Sequence, residues 1–134
     1  MILDGKNAVL GRLSSAVAKS LVRGEEVTIL NAEKILITGP KKSIKEKYLV
    51  DEKRGSKYSG PYFCRSPDRI VRRTIRGMMP YKTNKGRAAM KNLKILVGTP
   101  EEYKDKEAVK MEKAVKSSFI YMEELAKTVG WRRS

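Results

Sequence analysis

The sequence predicts a single α/β domain over residues 1–134 with a mainly parallel sheet, and three observations support this prediction. Short apolar runs alternate with segments in which apolar residues recur at helical spacing, which is typical of an α/β fold. Residues 27–30 read as a strand that is buried on both faces, as strands of parallel sheets are. The length of 134 residues suits one domain with a sizeable core.

The first forty residues predict a strand, a helix and a second strand. Residues 2–4 predict a short strand, and leucine and valine at helical spacing predict a helix over residues 11–23. Residues 27–30 predict the second strand. Asparagine at its end is typical of a helix N-cap, so residues 31–38 predict a short helix. Residues 35–37 fit a strand equally well, because periodicity cannot decide over so few residues.

The middle of the chain predicts a basic connection, a strand, a loop and a helix. Residues 41–47 are polar and basic, and residues 48–50 predict a strand. Residues 53–66 are rich in glycine, serine and proline, so they predict a long loop. Serine, proline and aspartate then follow in the order that begins a helix, and its apolar stripe ends near Gly77.

The last part of the chain predicts a helix, a strand and a helical extension. Residues 84–92 predict the helix and residues 95–97 the strand. Residues 99–117 begin like a capping box but lack a clean apolar stripe, which leaves their helicity open. Residues 118–129 predict an amphipathic helix. We therefore expect a C-terminal, largely helical extension over residues 99–134.

The positive charge of the chain is concentrated in its centre. The net charge is +15, and residues 41–91 carry +12 of it, whereas residues 1–40 carry +1 and residues 92–134 carry +2. A concentrated surplus indicates a surface for nucleic acid or an anionic membrane. No apolar run exceeds four residues, so no membrane-spanning helix is expected. The segment of about 41–94 is therefore the predicted nucleic-acid-facing part.

The composition argues against catalysis, metal binding and secretion. The chain has no histidine, and its one cysteine, Cys64, excludes an internal disulfide and cysteine-rich zinc sites. We expect Cys64 to be a small buried apolar residue. The phosphate-loop and dinucleotide-binding motifs are missing, so no cofactor is expected. The first residues carry no basic or long apolar stretch, so no secretory signal is expected and a cytosolic location fits.

Four arginines of the helix that begins at residue 67 recur at helical spacing: Arg69, Arg72, Arg73 and Arg76. Residues at this spacing share one face of a helix. Like charges so placed repel by roughly 0.2–0.5 kcal/mol per pair. Bound phosphates would offset the repulsion, because guanidinium groups bind phosphate oxygens in a bidentate manner. The alternative is an ordinary solvated basic face.

The loop over residues 53–66 mixes cations with aromatic residues, a combination suited to stacking on unpaired bases. The alternative is that Tyr62 and Phe63 anchor the loop to the core, which we favour for Phe63. Further candidate nucleic-acid-binding residues lie in this loop, in the basic segments around it and on the first helix. They are Arg12, Lys41, Lys42, Arg54, Lys57, Tyr58, Arg65, Lys82, Lys85, Arg87 and Lys91.

Several motifs occur in the order in which one known family has them: LGRL at 10–13, LNAEK at 30–34, IRGMMP at 75–80, GR at 86–87 and LKILVG at 93–98. Together they resemble the signature of large-subunit ribosomal protein thirteen, a universal family. GPYF at 60–63 and VGW at 129–131 resemble its archaeal and eukaryotic branch. Met79 stands where a branched aliphatic residue is more usual, a mild change of shape.

The resemblance implies a three-layer α/β/α fold around a short, mostly parallel four-stranded sheet. It implies a structural, non-catalytic component of the large subunit of the cytoplasmic ribosome. Such a protein binds large-subunit ribosomal RNA, helps it fold during assembly and contacts neighbouring ribosomal proteins. It needs no membrane and no small-molecule substrate. The competing hypotheses are an enzyme that uses the α/β scaffold for a nucleotide, and a DNA-compacting basic protein.

Overall fold

A computed structural model describes residues 1–56 and 58–133 of the chain. The strands are β1 (Ile2–Asp4), β2 (Val27–Leu30), β3 (Leu36–Thr38), β4 (Leu93–Ile95), β5 (Val109–Lys110) and β6 (Phe119–Tyr121). The helices are α1 (Leu10–Val22), α2 (Lys41–Lys53), α3 (Pro67–Gly77), α4 (Asn84–Lys91), α5 (Glu101–Lys104) and α6 (Met122–Thr128). A 3₁₀ turn over Ala32–Lys34 joins β2 to β3.

The main sheet has four strands in the order β4-β2-β1-β5, and all its neighbours are parallel. Leu3 in β1 lies opposite Ile29 in β2 on one side and Val109 in β5 on the other. A separate antiparallel pair joins β3 to β6. The predicted α/β class with a mostly parallel four-stranded sheet is confirmed.

The core forms where α1, α3 and α4 pack together over the strands. Leu13, Val17 and Leu21 of α1 are fully buried, which confirms the apolar stripe read from the sequence. Val71 and Ile75 of α3 are equally buried. Removing such side chains from water contributes roughly 1.5–3 kcal/mol each, so this packing fixes the position of α3.

One polar side chain of α1 is buried in this packing. The Oγ atom of Ser14 is shielded from solvent and has no hydrogen-bond partner in the described part of the chain. A hydroxyl that is buried without a partner loses its hydrogen bonds to water and gains none within the protein. Ser14 is therefore a place where α1 is less stable than its packing allows.

The strand predicted over residues 48–50, and the connection predicted over residues 41–47, are wrong. Both segments belong to helix α2, which begins after Pro40. Ile44 and Tyr48 stand four residues apart and pack half-buried against the core, and this is the only apolar contact face of the helix. Lysine and glutamate make up most of the rest of α2 and favour helix, but so thin an apolar stripe gives little periodic signal.

Other element boundaries differ from the expected ones. The segment 31–38 holds both predicted forms, a short turn of 3₁₀ helix followed by β3. Strand β4 covers residues 93–95 rather than 95–97, because it begins directly where α4 ends. Leu93 is buried there and pairs with Val27 of β2.

The C-terminal region contains less helix than expected. The helix predicted over residues 118–129 begins only at Met122, because residues 119–121 pair with β3. Residues 99–117 contain the four-residue helix α5 and the two-residue strand β5. The extension predicted as helical over residues 99–134 thus mixes two helices with two strands in its described part.

No helix in the described residues is both long enough and apolar enough to cross a membrane.

Candidate nucleic-acid interface

Helix α3 turns its apolar side to the core and its arginines to solvent. Ile70, Val71 and Ile75 are buried. Arg69, Arg72, Arg73 and Arg76 are all exposed, as the spacing predicts. Pro67 occupies the first turn as expected, but the side chain of Ser66 makes no capping hydrogen bond. The helix is held in place by burial of its apolar side and not by its cap.

These four arginines share an open cavity with the end of α2 and the loop that follows it. The cavity has a volume of about 640 Å³. We call it the arginine cavity. Its lining residues are Asp51, Arg54, Pro61, Tyr62, Phe63, Cys64, Arg69, Arg72, Arg73, Arg76 and Met90. Arg54 was predicted from the loop and the other arginines from α3, so the fold brings two separate predictions to one site.

The guanidinium group of Arg72 differs from the others. It donates hydrogen bonds to the carbonyl oxygens of Leu93, at 3.0 Å, and Met90, at 2.9 Å. These carbonyls lie at the end of α4 and the start of β4. Arg72 therefore fastens α3 to its neighbours with two of its five N–H donors, and its binding of phosphate stays a prediction. Helical spacing predicts a shared face but not the carbonyl groups that the fold places beside it.

Arg73 and Arg76 are positioned by aromatic rings. The Arg73 guanidinium carbon lies 4.7 Å from the centre of the Phe63 ring, and that of Arg76 lies 5.0 Å from the centre of the Tyr81 ring. Such cation–π contacts stabilise the charge by about 0.5–1 kcal/mol at exposed sites. They occupy no N–H donor, so both arginines keep donors for an anion.

The loop after α2 folds back on itself before it reaches α3. The backbone of Ser56 and Gly60 exchanges two hydrogen bonds, of 3.1 and 3.0 Å. Gly55 has a φ of +89°, and a Cβ there would overlap Gly60 and Pro61. Only glycine fits so close an approach. This reversal delivers Pro61 and the following aromatic residues to the arginine cavity.

The aromatic residues of the loop have different roles. Phe63 is half-buried and packs edge-on against Tyr48, with the two ring centres 6.0 Å apart, in agreement with the anchoring role favoured for it. Tyr62 is 72% exposed and lines the cavity, and Tyr58 is 87% exposed and does not line it. Cys64 is only half-buried in the cavity wall, so its expected burial as a core residue is wrong.

Tyr48 supports this wall as a neutral side chain. Burial raises the pKa of the Tyr48 hydroxyl, the Asp51 carboxylate raises it further and Arg73 partly opposes them. A tyrosine hydroxyl is protonated at neutral pH in any case, and the raised pKa extends the protonated state to more alkaline solution. Phe63 therefore packs on an uncharged ring even though charged groups surround it.

Three other predicted cations have acidic neighbours. Arg65 pairs with Glu52 at 2.8 Å, Arg54 with Asp51 at 3.8 Å and Lys41 with Glu124 at 3.5 Å. All three cations are exposed, and exposed pairs contribute about 0–1 kcal/mol. Such pairs can exchange the carboxylate for a phosphate at little cost.

Glu124 joins α6 to α2. A hydrogen bond from Lys45, at 2.9 Å, is the main reason why the pKa of Glu124 is lowered, and Lys41 adds to the effect. Lys45 was not among the predicted residues. Lys45 reaches Glu124 because α2 is a helix that packs against α6, and the sequence pattern does not show this contact. Lys42, the next predicted cation, is exposed in the first turn of α2.

Further predicted cations lie on and before α4. Lys82, Lys85, Arg87 and Lys91 are all exposed. The Thr83 hydroxyl caps α4 by accepting from the Gly86 N–H at 3.1 Å. A Cβ on Gly86 would overlap the carbonyl of Pro80, so only glycine allows the α3–α4 connection to be this tight. Arg12 is exposed on α1 and is not among the residues that line the cavity, and Lys57 lies outside the described residues.

The sequence reasoning missed Asp51, Met90 and Tyr81. Asp51 was not considered because its segment was not expected to be helical. Tyr81 directly follows the IRGMMP motif, but nothing in its spacing shows that its ring would lie beside the Arg76 guanidinium. Within residues 1–56 and 58–133, no group of three or more acidic or cysteine side chains is placed to hold a metal ion.

Comparisons with known proteins add a family relationship. The model of the family described as ribosomal protein L13 matches residues 1–102. Among curated proteins, the large ribosomal subunit protein uL13 of Archaeoglobus fulgidus is 41% identical over 98% of this chain and 88% of its own length. The protein of the same name from Methanosarcina barkeri is 44% identical over 96% of both chains. That of Methanococcoides burtonii is 50% identical over 84% of this chain and 81% of its own.

Proposed function

This chain belongs to the ribosomal protein L13 family, and from that premise we propose that it binds and helps to fold the RNA of the large ribosomal subunit. The family is a structural, non-catalytic one, and the chain is a component of the cytoplasmic ribosome. The proposal concerns how it performs that role: by contacts with large-subunit ribosomal RNA and with neighbouring ribosomal proteins.

The observation that carries the proposal is the gathering of arginines from two segments around one cavity. Arg54 comes from the end of α2, and four arginines come from α3. Helix α3 is fixed by its buried side, so the backbone positions of these charges are set when the protein folds and only their side chains are ordered when RNA binds. Each phosphate that they neutralise releases counterions, which drives binding.

The basic surface extends beyond the cavity along the α3–α4 connection. Its further members are Lys82, Lys85, Arg87 and Lys91, all exposed. A surface of this extent can contact phosphates of more than one RNA segment at once. Neutralising the repulsion between such segments is how a basic protein helps RNA to fold.

The test is RNA binding by charge-reversed variants, measured as a function of salt. We expect Arg69→Glu with Arg76→Glu to weaken binding to large-subunit RNA at least tenfold and to flatten the dependence of log K on log salt. The matched control is Lys19→Glu with Arg23→Glu, which makes the same charge change on the exposed side of α1. It should lose much less affinity.

Two outcomes would contradict the proposal. Equal losses in both double variants would mean that only net charge matters and that the arginine cavity is not part of the interface. Equal affinity of the unmodified protein for duplex DNA and for folded large-subunit RNA, at physiological salt, would remove the claim that RNA is the preferred partner. Co-sedimentation with the large subunit in high salt provides the complementary test.

A further inference from the structure

We infer that the arginine cavity takes a single unpaired nucleotide of the bound RNA, with its phosphate on the arginines and its base against Tyr62. This inference rests on the proposed function and specifies what one part of the interface recognises. It concerns an extruded nucleotide, in contrast to a continuous stretch of duplex backbone.

The shape of the site is the first argument. At about 640 Å³ the cavity lies within the range of roughly 300–1,000 Å³ that is typical of small-ligand sites. The backbone of a duplex is convex and meets side chains that protrude. A concave site walled by α3 on one side and the loop on the other fits a group that projects from the RNA.

The charges in the cavity are the second argument. The four arginines other than Arg72 offer N–H donors, and Arg72 uses two of its five donors on carbonyl oxygens. The lining also includes Asp51 at the end of α2, whose carboxylate lies 3.8 Å from the Arg54 guanidinium. A carboxylate repels a second phosphate but accepts a hydrogen bond from the amino group of a base. The cavity thus suits one phosphate together with an uncharged base.

The aromatic residues are the third argument. Tyr62 is 72% exposed and lines the cavity, whereas Phe63 beside it is half-buried and anchored on Tyr48. A large ring held at the surface by an anchored neighbour provides a platform for a base. Stacking of this kind contributes enough to change affinity about tenfold or more when the ring is removed.

The experiment compares three RNA hairpins of otherwise identical sequence by fluorescence anisotropy, using the full chain. One hairpin is fully paired, one has a single bulged adenosine and one has the same bulge without its base. We expect the bulged adenosine to bind about tenfold more tightly than the other two. Tyr62→Leu should abolish that preference, and Tyr58→Leu, a change in the same loop outside the cavity, should keep it.

The outcomes separate this inference from the function on which it rests. Equal affinity for all three hairpins, with normal binding to large-subunit RNA, overturns the inference and leaves the proposed function standing. Equal affinity for the two bulges, above that of the paired hairpin, also overturns it, because the base then contributes nothing. Failure to bind large-subunit RNA in the same assay overturns the proposed function itself.

Discussion

Arg72 is expected to stabilise the fold more than any other arginine of α3. Its guanidinium group donates to the carbonyl oxygens of Leu93 and Met90, at 3.0 and 2.9 Å. Hydrogen bonds that involve a charged group contribute about 1.5–3 kcal/mol each. Both carbonyls can be partly hydrated when the arginine is removed, so we take the low end of that range. Two bonds at about 1.5 kcal/mol each give about 3 kcal/mol. Relief of roughly 0.4–1 kcal/mol of repulsion between the arginines offsets part of this, so we expect Arg72→Met to cost about 2 kcal/mol in free energy of unfolding.

The matched control is Arg69→Met. Arg69 is exposed on the same helix, and no hydrogen bond or ion pair of its side chain is found among the described residues. Each of the two arginines has two other arginines three or four positions away, so either substitution relieves about the same repulsion, roughly 0.4–1 kcal/mol. The difference between the variants therefore isolates the two hydrogen bonds.

The assay is thermal and urea denaturation followed by circular dichroism. For a chain of this size, 2 kcal/mol corresponds to a Tm lower by about 6–10 °C. Arg69→Met, which only relieves repulsion, should be as stable as the unmodified protein or more stable by up to about 1 kcal/mol. If the two variants have equal stability, the two hydrogen bonds of Arg72 do not fasten α3 to α4 and β4.

Four further predictions concern the scaffold. Gly86→Ala should lower the free energy of unfolding by about 1–3 kcal/mol, because the Cβ of the alanine would overlap the Pro80 carbonyl. In the same denaturation assay, Gly77→Ala should be neutral or stabilising by up to about 1 kcal/mol, because no atom lies within 4 Å of its Cβ and alanine favours helix. Ser14→Ala should stabilise by about 1 kcal/mol in urea denaturation, because it removes a buried hydroxyl that has no partner in the described structure; a destabilised variant would reveal a partner. Glu124→Gln should lower the Tm near neutral pH, because hydrogen bonds from lysines lower the pKa of this carboxylate in the folded state. The stabilisation is complete above the unfolded-state pKa and is lost as the pH falls through the folded-state pKa, so Tm values of the two proteins should converge in acid; a constant difference would contradict this assignment.

The sequence was informative wherever a segment has one strong apolar face. Helix α1 and helix α3 are predicted nearly to the residue, because each buries a stripe of leucine, valine or isoleucine. Helix α2 was missed because only Ile44 and Tyr48 touch the core. Strand β6 was taken as the start of a helix because its pairing with β3, more than eighty residues earlier, leaves no local signal.

The candidate site was predictable as a charged surface but not as a cavity. The spacing of the α3 arginines alone places them on one side of the helix. That Arg54 and the loop aromatic residues would face them depends on the turn closed at Ser56 and Gly60, which is a tertiary feature. The different part played by Arg72 depends on carbonyl groups about twenty residues away. The RNA contacts of these residues stay predictions.

The order of strands in the main sheet has a consequence for the sequence of events during synthesis. Strand β1 is paired on both sides, because Leu3 lies opposite Ile29 of β2 and Val109 of β5. Strand β5 is synthesised long after β1 and β2. Until then β1 is an open edge whose backbone groups can pair with another chain. The match to the family model ends at residue 102, before β5. A fragment cut at that boundary would keep every α3 arginine, but it would expose the edge that β5 covers and lack the buried Ile120, Met122 and Leu125, so folding and solubility, and not charge, would limit its binding of RNA.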